Sequence, residues 1–127
     1  MLTYSQKKYL FAIYKLSLNG GEVRSADVAA SVGVSKPSTV KMMQSLSDDG
    51  YILKEHYGKI SLTPTGVKEA EELFKRCSIL GDFLSNTAGV NEENADTDAV
   101  TIVSQVSDET IEKLVGYIQA EKTSLNP

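Results

Sequence analysis

The residues with the most evident chemistry lie in one short stretch, Ser35-Lys36-Pro37-Ser38-Thr39-Val40-Lys41, with Gln44 one turn further on. Lysine donates to guanine acceptors or to phosphate, glutamine bonds adenine or phosphate, and serine hydroxyls do either. A helix opening here would also aim its first backbone N–H groups at an anion. Other chemistries are poorly provided for. One cysteine, Cys77, excludes an internal disulfide and a cysteine-based zinc finger, and one histidine, His56, leaves no Ser-His-Asp set. Paired carboxylates, an activated nucleophile and a phosphate-binding glycine loop are all missing from the sequence, so an enzyme is not expected.

Charge points the same way. Residues 1–62 carry eight basic and five acidic groups, a net +3, whereas residues 63–127 carry five and twelve, a net −7, giving the overall −4. Contact with a polyanion needs local rather than global positive charge. The 127 residues contain no apolar run of bilayer length and begin with a polar stretch, so a cytoplasmic protein without a secretory signal or a membrane partner is expected.

The elements that must position these residues follow from caps and periodicity. Thr3 and Gln6 form a capping box ahead of Leu10, Ile13, Tyr14 and Leu18 at helical spacing, predicting a helix over 4–18 that Asn19-Gly20-Gly21 ends. Ser25 is expected to cap a short helix to about Val32, burying Val28 and Val32, with Gly33 as the turn. Ser35 caps the next helix, Pro37 is tolerated in its first turn, and Gly50 stops it. Thr39, Met42, Met43 and Leu46 form its core face and Lys41 and Gln44 its opposite face. Residues 51–55 and 59–62 are strand-like and flank His56-Tyr57-Gly58, a hairpin. Thr63-Pro64 opens a long helix with an apolar stripe of Ala70, Leu73, Phe74, Cys77, Leu80 and Leu84. A helix over 92–105 and one capped by Ser107 follow; residues 122–127 are expected to fray. Glu92, Glu93, Asp96 and Asp98 read as a solvated helix start favoured by the helix dipole.

Helix, short helix, turn, helix and hairpin make a winged helix-turn-helix. The expected fold is mainly α: a winged helix-turn-helix domain over 1–66, then a helical dimerisation domain over 67–127. The second helix of the pair should enter a major groove. The candidate DNA-binding residues are Ser25, Ser35, Lys36, Pro37, Ser38, Lys41 and Gln44, with Lys54, His56, Tyr57 and Lys59 on the wing.

Tyr9-Leu10-Phe11-Ala12-Ile13-Tyr14-Lys15-Leu16, Ser25-Ala26-Asp27-Val28-Ala29, Val34 through Met42, Leu46 through Gly50, and Tyr57-Gly58-Lys59-Ile60-Ser61-Leu62-Thr63-Pro64-Thr65-Gly66 together resemble the DtxR/MntR family of metal-responsive bacterial repressors. The likeness continues more weakly through the remaining helices and stops short of the SH3-like third domain of longer members. It implies a homodimer joined through its carboxy-terminal helices, with two winged helices on a palindromic operator in double-stranded DNA. It implies that Ser35, Pro37, Ser38 and Lys41 occupy DNA-contacting positions, whereas Val40 stands where the family has a hydroxyl residue.

The family senses Mn(II) or Fe(II) through carboxylate, imidazole and sometimes thiol ligands from three helices. At those positions this chain has Lys8 and Phe11, then Cys77, then Val100, Val103 and Ser104. Lys8 would bring a positive charge into the cavity, Phe11 and Val103 would fill it with carbon, and Cys77 reads as a small buried hydrophobe. No cofactor is therefore assigned, and the usual metal site is expected to have given way to packing. Two further readings stay open: a Mn/Fe-dependent repressor with non-standard ligands, and a winged-helix module that binds protein.

Overall fold

In the computed structural model, residues 2–125 are described. The chain divides into two compact units, Met1–Glu72 and Leu73–Pro127. The first contains α1 (Tyr4–Leu18), β1 (Val23–Arg24), α2 (Ser25–Val32), α3 (Lys36–Asp48), β2 (Ile52–Lys54), a 3₁₀ turn (His56–Gly58), β3 (Lys59–Leu62) and the start of α4 (Pro64–Asn86). The second contains the rest of α4, α5 (Glu92–Gln105) and α6 (Asp108–Leu125).

Helix α1 starts on the expected capping box: Gln6 N–H donates to Thr3 Oγ1 (3.1 Å), and Thr3 N–H donates to Gln6 Oε1 (3.0 Å). It packs on α2 and α3. Leu10, Ile13, Val28, Met43, Leu46, Ile52 and Ile60 form the core of the unit. Burial on α1 is broader than its spacing suggested: Tyr9, Phe11 and Ala12 are also buried, while Leu18 is 60% exposed. Val32 and Met42, expected inside, are half-buried. Ser25 does not cap α2 but is its first residue. The cap position is Arg24, whose N–H donates to Asp27 Oδ2 at 2.9 Å. Gly33 ends α2 with φ +78°, a left-handed conformation that costs glycine little.

The hairpin belongs to a three-stranded antiparallel sheet of order β1-β3-β2, with Val23 opposite Ile60 and Leu53 opposite Ser61. The two residues of β1 are too short to show a strand pattern in sequence. Thr63 joins the sheet to α4. Its Oγ1 donates to Gly50 O (2.7 Å) and accepts from Gly66 N–H (3.0 Å), while its N–H donates to Tyr51 O (3.1 Å).

In the second unit Leu73, Leu80, Ala95, Ala99, Val103, Ile111, Val115 and Ile118 are buried. Of the expected α4 stripe, Phe74 is 40% exposed, and Cys77 and Leu84 are half-buried. The helix ends at Asn86, ahead of Gly89. Thr110 N–H donates to Ser107 Oγ (3.3 Å), as the sequence predicts for α6. That helix continues through residues 122–125 instead of fraying there, and Asn126 and Pro127 lie outside the described residues.

Candidate nucleic-acid interface

Helix α3 presents two unlike faces because its apolar residues recur at three- and four-residue spacing. Thr39, Met43 and Leu46 are buried, and Thr39 Oγ1 is satisfied by donating to Ser35 O (3.0 Å). Lys36, Pro37, Lys41, Gln44 and Asp48 are exposed, as is Ser38 on the flank. Ser35 caps the helix: its Oγ accepts from Ser38 N–H (3.4 Å) and donates to Ser38 Oγ (3.1 Å). Lys36 and Lys41 make no ion pair among the described residues, so their charge is available to an anion. Val40 is 57% exposed beside them, an aliphatic surface at the position where the family resemblance implies a hydroxyl residue.

The helix is held from behind. Gln6 is 3% exposed, and its Nε2 donates to Asp49 Oδ2 (2.7 Å) and Ser45 Oγ (3.0 Å), tying the start of α1 to the end of α3. Each polar atom of this buried amide has a partner, as burial requires.

The wing is more heavily braced than its composition suggests. Tyr57 at its tip is 92% exposed with φ 62°, and His56 beside it is exposed. The Arg24 guanidinium donates to Tyr57 O and pairs with Glu22 (2.9 Å). Lys59 is half-buried, with Nζ 3.6 Å from Glu55 and 3.9 Å from Glu22. Lys54 donates to the Gln44 carbonyl oxygen. Lys54 and Lys59 are thus engaged within the protein and not free on the wing. Such exposed contacts are worth at most about 1 kcal/mol and yield readily to phosphate. The sequence reading missed Arg24, Glu22, Glu55 and Asp48. Only the pairing of β1 with β3 brings the first two to the wing. Ser25 is half-buried at the start of α2.

The positions at which the family resemblance implies metal ligands carry Lys8, Phe11, Cys77, Val100, Val103 and Ser104. Lys8 is exposed, whereas Phe11 is buried. Val103 and Ser104 are buried, Val100 is half-buried, and Cys77 is half-buried where a buried side chain was expected. Manganese(II) and iron(II) favour carboxylate and imidazole donors. An ammonium, a phenyl ring, two isopropyl groups, a thiol and a hydroxyl do not make such a set. Among the described residues no group of three or more His, Cys, Asp or Glu side chains is placed to hold a metal. No helix among them is long and apolar enough to cross a membrane.

Residues 1–60 match the family model described as "Iron dependent repressor, N-terminal DNA binding domain". Residues 63–124 match "Iron dependent repressor, metal binding and dimerisation domain". The chain is 34% identical over 119 residues to the HTH-type transcriptional regulator MntR of Lysinibacillus sphaericus, covering 94% of this chain and 85% of that protein. It is 36% identical over 116 residues to the transcriptional regulator MntR of Salmonella typhimurium, covering 91% and 73%. Among solved structures it resembles IdeR of T. acidophilum, with a TM-score of 0.74 and 26% identity over 89% of this chain and 53% of that one. It shares its fold with a manganese-dependent transcriptional repressor in complex with manganese, with a TM-score of 0.77 and 22% identity over 90% and 52%. The chain spans about half the length of these two solved chains.

Proposed function

The chain belongs to the iron dependent repressor family, whose members are transcriptional regulators and not enzymes, and from that premise we propose how it acts. It is a DNA-binding repressor that works as a homodimer on a palindromic operator, without the usual metal ligands. Residues 1–66 form the DNA-binding domain and residues 67–127 the dimerisation domain. Helix α3 enters the major groove with Ser35, Lys36, Pro37, Ser38, Lys41 and Gln44. Lys54, His56, Tyr57 and Lys59 meet the neighbouring backbone or minor groove, and Ser25 touches phosphate from the start of α2. Two such helices about one DNA turn apart need a two-fold partner. Exposed Phe74 and Tyr117 supply apolar surface for that contact in the second unit.

The observation that carries this reading is the outward face of α3, where Lys36 and Lys41 stand exposed and unpaired while the lysines and arginine of the wing are already engaged. Fluorescence anisotropy with genomic duplex fragments at 50 and 200 mM salt tests it. With about 6–10 phosphate contacts, affinity falls roughly 10³-fold or more between the two. A protein-interaction module would show no such binding.

The donor set supports DNA binding that does not depend on an ion. Phe11 and Val103, at positions where the family resemblance implies ligands, are buried, which favours packing in place of an ion there. Titration calorimetry with Mn(II), Fe(II), Co(II) and Zn(II) distinguishes the alternatives. A stoichiometric site of micromolar or tighter affinity would refute the ion-free reading and favour non-standard ligands.

A further inference from the structure

We infer that Gln44 reads adenine in the major groove, and that Asp48 and Lys54 act as positioning residues by holding its amide in a single orientation. This rests on the reading of α3 as the helix that enters the groove. It adds the base that is recognised and the two side chains that enforce the choice.

Gln44 and Asp48 lie one turn apart on the exposed face of α3, with Lys41 one turn before Gln44. Gln44 Nε2 donates to Asp48 Oδ1 at 2.7 Å, and Gln44 Oε1 accepts from Lys54 Nζ on β2. A carboxylate only accepts and an ammonium only donates. Turning the amide over would set its carbonyl oxygen against the carboxylate and its NH₂ against the ammonium. Both charge-assisted bonds would become repulsions, so one orientation is retained.

The two bonds use one N–H and one lone pair of the amide. One N–H and one lone pair remain. Adenine offers an N7 acceptor beside an N6 donor on its major-groove edge, and this pair uses both. Guanine offers two acceptors, so the fixed carbonyl oxygen would face O6. Thymine offers an acceptor and a methyl group, and cytosine offers a donor alone. An unclamped glutamine can swing or invert to suit guanine; a clamped one cannot. Asp48 also explains itself on this view: an anion on a DNA-facing helix costs affinity, and what it supplies is the orientation of its neighbour.

The test is selection of duplexes with a randomised core by the full chain, comparing wild type with Gln44→Ala, Asp48→Ala, Lys54→Met and Lys54→Arg. All four substitutions are at exposed positions, so folding is preserved. The wild type is expected to show one position per half-site where adenine is preferred over guanine by roughly tenfold or more. Gln44→Ala removes that preference and leaves the other positions unchanged. Asp48→Ala and Lys54→Met narrow it at the same position, and Lys54→Arg, which still donates, retains it. A Gln44→Ala profile identical to wild type at every position overturns the assignment of adenine reading. An Asp48→Ala profile with the adenine preference intact overturns the clamp. A wild type that selects no sequence overturns the α3 reading itself, and this inference with it.

Discussion

Replacing Gly66 by alanine should destabilise the DNA-binding unit and unseat its wing. Gly66 lies in the first turn of α4, where the helix runs against the chain entering β2. A Cβ added there would sit 2.0 Å from the carbonyl oxygen of Tyr51 and 3.0 Å from its carbonyl carbon. Real Cβ atoms essentially never come closer than 3.0 Å to such a neighbour, so the backbone must retreat by about 1 Å. The obstacle is peptide and not the end of a flexible side chain. The same carbonyl accepts from Thr63 N–H at 3.1 Å, and Thr63 in turn holds Gly50 and Gly66 through its hydroxyl. Overpacking costs about 1–3 kcal/mol or more, and the displaced hydrogen bond about 1. Alanine's better helix propensity returns about 1 kcal/mol. The net loss is ~1–3 kcal/mol, or a fall in Tm on the order of 10 °C for a unit of this size. Urea and thermal unfolding followed by far-UV circular dichroism measure it. Gly116→Ala is the matched control: Gly116 is helical with nothing within 4 Å of its Cβ direction, so alanine should add ~0.5–1 kcal/mol. A Gly66→Ala variant within about 0.5 kcal/mol of wild type, the range of ordinary surface substitutions, would refute the reasoning.

Gln6→Ala breaks the buried tie between α1 and α3, removing one hydrogen bond to a carboxylate and two neutral ones, and should cost ~2–4 kcal/mol in urea unfolding; a loss below about 1 kcal/mol would show the tie to be dispensable. Lys41→Ala should weaken specific DNA binding by ~1–3 kcal/mol in anisotropy if the lysine reads a base. An equal loss on operator and scrambled duplex would make it a phosphate contact instead. The phenol of Tyr51 is pushed above its usual value of 10 by burial and by the charges of Glu69 and Asp49. Its neutral form is therefore favoured in the folded state. That contribution to stability is complete below pH 10 and disappears as pH rises through the raised value. The absorbance titration of wild type minus Tyr51→Phe should have its midpoint above pH 10; a midpoint at or below 10 contradicts the assignment.

The outline of the fold was legible because its signals are local. The Thr3/Gln6 box, Ser35 before Lys36-Pro37, Gly33 between two helices, and Thr63-Pro64 at the start of α4 each act within four residues, and the structure bears out each of them. The second half of the resemblance motif also has a physical meaning: its glycine is required where α4 meets the Tyr51 carbonyl. Where local signals compete, sequence reading erred. Serine is a good capping residue, yet Asp27 binds the N–H of Arg24 and moves the start of α2 one residue earlier, leaving Ser25 inside the helix.

Sequence alone determined which face of α3 is apolar and which carries Lys36, Lys41 and Gln44, since 3.6-residue periodicity sorts side chains without reference to the rest of the chain. Tertiary structure decided which of those charges are free. Beyond the local pair of Lys59 with Glu55, whether a lysine is spent on a neighbour depends on residues distant in sequence: Lys59 meets Glu22 only because β1 pairs with β3, and Lys54 meets Gln44 only because β2 lies beside α3. Charge pairing acts through space over a few ångströms, so partners that the sheet brings together are not encoded by spacing along the chain.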